Sequence, residues 1–203
     1  MKYSMFIGRW QPWHNGHRWL IDQRLQEGKS VLICVREVSK DDKNPYDPAE
    51  VKLNVENELQ DLIDSKKVKV IILEGAGKGF SAGHNLKEVK SLKVRSKYLK
   101  LFNLCSKLMI DIVECRKPVI AKVHGSAYAA GCQLAASCDL TYSSTDAKFA
   151  TPGVNIGLFC STPMVAVSRK INRKRMMKMP LTGEPINAKY AKEIGLINDY
   201  YPK

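Results

Sequence analysis

Hydrophobic and polar positions fall into short runs whose period alternates from the start of the chain. Residues 3–8 form a compact apolar run ending at a glycine, the pattern of a buried strand. From about Asn15 to Glu27, Trp19, Leu20 and Leu25 gather on one helical face, and Gly28 supplies the stop. Val31-Leu32-Ile33-Cys34-Val35 is apolar throughout, as a strand covered on both faces requires. A polar loop over Asp41–Pro48 follows. Asp47 then stands at an N-cap, Pro48 at the first helical position and Glu50 three residues after the cap, which predicts a helix running to about Ser65. Val68–Leu73 reads as a further buried strand. Strand, helix, strand, helix, strand in this order predicts an α/β fold with a parallel sheet and right-handed crossovers.

The texture changes after Leu73. Glycine- and alanine-rich turns and paired small residues take over, while Trp10, Trp13 and Trp19 all lie near the start. No Gly/Ser/Pro linker marks the change, and residues 51–73 fit either side of it. There is no internal repeat and no low-complexity tract.

Charge adds a hint about partners. The net charge is +13, from 33 basic and 20 acidic residues, spread along the chain and densest from Lys87 to Lys107. That pattern suits solvated helix faces and attraction of phosphorylated small molecules. No nucleic-acid-binding signature accompanies it, so no nucleic-acid partner is expected. The 6 cysteines form no C-x-x-C pair and sit mostly in apolar runs, which suggests reduced, buried thiols and a cytoplasmic location. The N-terminus shows no signal core or transit pattern, and no apolar run reaches membrane-spanning length.

The first chemical constellation is Phe6-Ile7-Gly8-Arg9-Trp10-Gln11-Pro12-Trp13-His14-Asn15-Gly16-His17. His14 and His17 are three apart at the start of a helix and so share a face. Gly16 between them allows close approach of a ligand to the backbone. The helix N-terminus offers free N–H groups to a phosphate, and two imidazoles there would stabilise charge developing on it. The string resembles the H-x-G-H signature of the nucleotidyltransferase superfamily, in particular its nicotinamide-mononucleotide adenylyltransferase branch. The resemblance implies adenylyl or cytidylyl transfer from ATP or another nucleoside triphosphate with Mg2+. His14 and His17 would serve the transfer, and Gly8, Arg9 and Gly16 would shape the nucleotide site. The match covers residues 1–70, a half-domain, and the late I-S-S-T-x-x-R type motif of that family has no counterpart.

From Val68 onward the matching strings belong elsewhere. They are Val70-Ile71-Ile72-Leu73-Glu74-Gly75, Phe80-Ser81-Ala82-Gly83-His84-Asn85-Leu86, Lys117-Pro118-Val119-Ile120-Ala121, Ala129-Ala130-Gly131-Cys132-Gln133-Leu134, Phe149-Ala150-Thr151-Pro152-Gly153-Val154 and Leu181-Thr182-Gly183-Glu184. In order and spacing they resemble the crotonase (enoyl-CoA hydratase/isomerase) superfamily, and within it the mitochondrial-type "enoyl-CoA hydratase domain-containing" branch. The resemblance implies a coenzyme A thioester as ligand. Its carbonyl would be polarised by two backbone N–H groups, those of His84 and Ala130, forming an oxyanion hole. Ala82, Gly83 and Gly131 would line the acyl-CoA site. The two glutamates of the hydratases fall at Gln133 and Gly153, neither of which can act as a base, so hydration by the usual route is not expected. His84 and Asp139 are the remaining candidates for a base, while Asp139 and His124 read as structural.

The expectation is therefore an α/β chain in which a Rossmann-like parallel-sheet half-domain, residues 1–70, continues into a crotonase-like ββα spiral, residues 71–203, truncated at both ends. Its first expected function is acyl-CoA binding. Nucleotidyl transfer through the H-x-G-H motif is the alternative, and an inactive recombined product the third. A small-molecule substrate and a homo-oligomer are expected, with no membrane partner and no metal-binding side chains.

Overall fold

The computed structural model describes residues 3–7, 30–35, 59–75 and 77–202. The chain divides into two compact units, Met1–Ala76 with Leu92–Val119, and Gly77–Ser91 with Ile120–Lys203.

In the first unit, strands β1 (Tyr3–Ile7), β2 (Ser30–Val35) and β3 (Ile71–Gly75) lie side by side and parallel. Tyr3 faces Ser30, and Leu32 faces Ile72. This is the pairing that the alternation of strand and helix predicts. The third strand departs from the expectation: it spans Ile71–Gly75, whereas the apolar run suggested Val68–Leu73. Val68 is buried all the same, because a turn at Lys66 and Lys67 tucks it inward ahead of the strand. The helix expected to end near Ser65 is seen over 59–64, with Leu59 and Leu62 buried. Its terminal carbonyls are held by a distant cation, since the Lys117 ammonium donates to Leu62 O and Ser65 O, both at 2.6 Å. Carbonyls at a helix end lack intrahelical partners and carry partial negative charge, so a lysine there is favourable. The long helix Arg95–Val113 belongs to the same unit and buries Leu101, Met109 and Ile112. Lys107 and Asp111 pair across one of its turns at 2.8 Å. Among the described residues no helix is long and apolar enough to cross a membrane.

The second unit repeats a strand–strand–helix turn. Its elements begin with the short helix α1 (Leu86–Ser91); the long helix of the first unit is numbered α2 (Arg95–Val113), and the second unit resumes with β4 (Val119–Val123), β5 (Ser126–Tyr128) and α3 (Ala130–Ser137). The next turn brings β6 (Leu140–Ser144), β7 (Lys148–Ala150), a 3-10 helix (Pro152–Ile156) and α4 (Ser161–Val167). The unit closes with α5 (Arg173–Thr182), β8 (Ile186–Asn187), α6 (Ala188–Glu193) and β9 (Asp199–Tyr201). In each turn the first strand joins one sheet and the second joins another: β4 pairs parallel with β6, and β5 pairs parallel with β7. β9 extends the first sheet beside β6, and β8 runs antiparallel to β7 in the second. An isolated parallel bridge between Ser81 and Ala127 brings the preceding turn onto the edge of β5. This is the α/β spiral that the sequence led us to expect. Val123, Ala127, Cys132, Phe149 and Val167 fill its core, none more than 1% exposed. Burial of such side chains stabilises by about 25 cal/mol per Å² of apolar surface.

Candidate functional site

Two turns of the second unit meet where the oxyanion hole is expected. The first is Phe80 to Asn85. Phe80 N–H donates to His124 O at 2.8 Å and Ser81 N–H to Ser126 O at 3.0 Å, so this turn is held as if it were an edge strand. Ser81 returns the contact by accepting Tyr128 N–H at 2.8 Å. Its hydroxyl oxygen accepts Gly83 N–H at 3.2 Å, and this local bond bends the chain through Gly83, whose φ is +87°. Asn85 then accepts Lys87 N–H at 3.1 Å and starts α1.

The second turn is Tyr128 to Gln133. Ala129 N–H donates to Ala150 O at 2.9 Å, and Ala129 has φ 49° and ψ −117°, a conformation that glycine adopts far more readily. That reversal starts α3 at Ala130 with no side-chain cap. The Ala129 carbonyl accepts Gln133 N–H at 3.0 Å, whereas the Ala130 N–H, in the first helical turn, has no acceptor among the described residues.

The turns touch through their smallest residues. A methyl group added at Gly83 would stand 3.1 Å from Ala130 N and 3.1 Å from the Ala129 methyl. One added at Gly131 would overlap the Ser81 carbonyl oxygen and lie 2.8 Å from the Ser81 carbonyl carbon. Thus Ala82, Gly83, His84, Ala130 and Gly131 are brought into one neighbourhood, with Ala82 at the exposed rim. Donors with fixed positions at a helix N-terminus suit an oxygen that is gaining negative charge.

The remaining candidates are placed differently. His124 Nε2 lies 3.0 Å from Gly77 O at the end of β4, a position that anchors a loop, in line with its structural reading. Asp139 is exposed just after α3. The adjoining Cys138 carbonyl accepts the Lys170 ammonium at 3.2 Å. Cys132 and Cys138 have thiols pushed up to about 12 by burial, with Cys160 and Asp139 respectively adding to the effect. They are packing groups at neutral pH. His14, His17, Gly8, Arg9 and Gly16 lie outside the described residues. A separate depression of about 310 Å³, lined by Arg175, Lys178, Met179, Glu184 and Tyr190 among others, shares no residue with the two turns.

The sequence singled out neither Ser81 nor Thr151. Ser81 ties both turns together through its carbonyl and its hydroxyl. Thr151 is fully buried next to Ala150, with a hydroxyl that has no hydrogen-bond partner among the described residues. Only their position inside matching strings set them apart from ordinary hydroxyl residues.

Comparison with known proteins bears on the stretch of chain that holds these turns. The enoyl-CoA hydratase/isomerase family matches residues 48–203. The human enoyl-CoA hydratase domain-containing protein 3, mitochondrial, is 49% identical over 140 residues, which are 69% of this chain and 46% of that protein. Enoyl-CoA hydratase, mitochondrial, of Pongo abelii is 35% identical over 140 residues, 66% of this chain and 46% of its own length. The chain thus spans about half the length of these relatives. Among solved structures, the human domain-containing protein 3 superimposes with a TM-score of 0.72 and 44% identity, covering 76% of this chain and 61% of that one. An enoyl-CoA hydratase of Mycobacterium smegmatis gives 0.72 and 44%, over 75% and 59%. With a family match over residues 48–203, the chain belongs to the enoyl-CoA hydratase/isomerase family.

Proposed function

We propose that this chain binds the thioester of an acyl-coenzyme A through the backbone N–H groups of His84 and Ala130, and that it does not hydrate enoyl thioesters. The close approach of Gly83 to the start of α3 carries the reading, because a methyl added there would stand only 3.1 Å from the Ala130 nitrogen, so the two turns lie against each other. Two N–H groups aimed at one carbonyl oxygen polarise it without any side chain, so His84 and Ala130 are free in side-chain identity. Ala82, Gly83 and Gly131 give the ligand a wall without bulk. Hydration needs groups that hold water and move the α-proton, and Gln133 and Gly153 stand where the family places its carboxylates. Self-association and a cytoplasmic location belong to the same proposal. They are read from the mass in solution and from cell fractionation, the relatives above being named mitochondrial.

The experiment is a thermal-shift titration with acetyl-CoA and ATP-Mg in parallel. A ligand bound only by the native state stabilises by about 2.7 kcal/mol at a hundred times its Kd. Acetyl-CoA is expected to raise the melting temperature, and His84→Ala to keep the shift. Ala130→Pro removes one N–H and abolishes it. A shift that survives Ala130→Pro defeats the proposal. A shift with ATP-Mg alone would instead favour nucleotidyl transfer at His14 and His17, a reading that rests on sequence resemblance. No shift with either ligand would leave the inactive product.

A further inference from the structure

We infer that α2 is a docking surface for a second copy of this chain, which it meets antiparallel about a twofold axis at Ser106. The inference goes beyond acyl-thioester binding and gives the proposed self-association a surface. α2 buries Leu101, Met109 and Ile112 on its inner side. One apolar face is all that a helix on the outside of a fold needs. α2 has a second. Leu99, Phe102, Ile110 and Val113 are 44%, 46%, 52% and 66% exposed. With the exposed Ser106 between them, the stripe advances in steps of three, four, four and three residues. Such steps keep all five positions on one side of the helix, in the seam spacing of paired helices. A contiguous apolar stripe in water marks a contact surface.

Two features select a second copy as the occupant. The first is symmetry. The stripe reads the same in both directions from Ser106: Phe102 and Ile110 flank it at four residues, Leu99 and Val113 at seven. Copies related by a twofold axis offer each other the same patch, so each residue must fit its counterpart in both directions. Laid antiparallel across Ser106, Phe102 of each copy meets Ile110 of the other, and Leu99 meets Val113. The small Ser106 stands at the crossing, where it lets the two backbones approach. The second feature is charge. Arg95, Lys97 and Lys100 occupy the first half of α2, while its first turn has no acid and its last turn no base. That order opposes the dipole of a helix standing alone. Asp111, paired with Lys107 at 2.8 Å, lies toward the far end with Glu114 at the C-cap, and Arg116 follows beyond it. An antiparallel copy lays the basic start of one helix along the negative end of the other and brings Glu114 beside Lys100. A parallel copy would set like ends together.

The test measures the mass of the whole chain by sedimentation over a range of concentrations. It compares wild type, Phe102→Lys, Ile110→Glu and an equimolar mixture of these two variants. Wild type is expected at twice 22.9 kDa. Either variant alone forces a charge against an apolar group and is expected to raise the dissociation constant at least about a hundredfold. The mixture is expected to regain the doubled mass, because the introduced lysine then faces the introduced glutamate. Ser106→Cys alters no apolar contact. On mild oxidation it is expected to cross-link two copies well before Lys97→Cys, which lies on the opposite side of the helix. A wild type that stays at 22.9 kDa defeats self-association together with this surface, and gives the stripe to another occupant. A doubled mass that both variants keep places the interface elsewhere and overturns this inference alone. Variants that stay single when mixed, or equal cross-linking at 106 and 97, overturn the antiparallel register. None of these outcomes bears on acetyl-CoA binding, so the two readings fail separately.

Discussion

Gly131→Ala sets two effects of opposite sign against each other. Alanine is the better helix former, and within α3 the exchange would stabilise by up to about 1 kcal/mol on propensity alone. Against this, the new methyl overlaps the Ser81 carbonyl oxygen and lies 2.8 Å from both the Ser81 carbonyl carbon and its Cβ. Forcing that much volume into a packed contact costs about 1–3 kcal/mol. Moving the Ser81 carbonyl aside also strains the bond it accepts from Tyr128 N–H at 2.8 Å, whose loss costs about 1 kcal/mol. The clash wins, with a net destabilisation of about 1–3 kcal/mol. For a chain of this size that lowers the melting temperature by roughly 2–12 °C. Circular dichroism melting measures it, and amide hydrogen exchange at Tyr128 should accelerate in the same variant. A Gly131→Ala protein that melts at or above wild type would refute the reasoning, because propensity would then have outweighed the contact that joins the two turns.

Two further outcomes follow from the electrostatics. With iodoacetamide at pH 8, Cys105 and Cys115, which are partly exposed, should label well before Cys132 and Cys138, whose thiols burial holds protonated up to about 12; equal rates in the folded chain would contradict the packing. Asp199 accepts the Lys192 ammonium at 2.7 Å and the Tyr200 N–H at 2.8 Å, and the first of these does most to hold its carboxyl below the ordinary 3.8. A carboxylate depressed in the folded state adds stability above its unfolded pKa and loses it as the pH falls through the folded value. Wild type and Asp199→Asn should therefore differ in melting temperature at pH 6 and converge in acid below 3.8; a gap that widens on acidification would be wrong in sign.

Much of the fold was legible because its signals are local. The apolar runs within β1 and β2 are short and dense, and their parallel pairing follows from the helix pattern between them. The start of β3 was misplaced because Val68 carries the burial signal of a strand while sitting in the turn that precedes one. The second sheet left little trace, since β5 and β7 are 3 residues each and β8 is 2, too short for a period to show. The residues of the candidate site were found through motif strings, and periodicity had no part in it. Even so, nothing in Ala129-Ala130-Gly131 announces that Ala129 takes a φ of 49°. That strain comes from the Ala150 carbonyl, which fixes the Ala129 N–H from another strand. At Gly153, buried in the 3-10 helix, a close contact was hidden for the same reason, since an added methyl would overlap the Leu158 carbonyl oxygen. A glycine reads as freedom in a sequence, and only the Leu158 carbonyl turns it into an obstruction.

The stacking of strand–strand–helix turns in the second unit also bears on how the chain is made. Ile120 pairs with Leu140 and Ser126 with Lys148, so the turn that carries β6 and β7 finds its partners about twenty residues behind it. Partners that near are reached with little loop-closure entropy, which favours fast pairing. A ribosome releases the chain in the same direction as the spiral winds. Each emerging turn can thus dock on one already laid down, and unpaired strand edges stay exposed only briefly during synthesis.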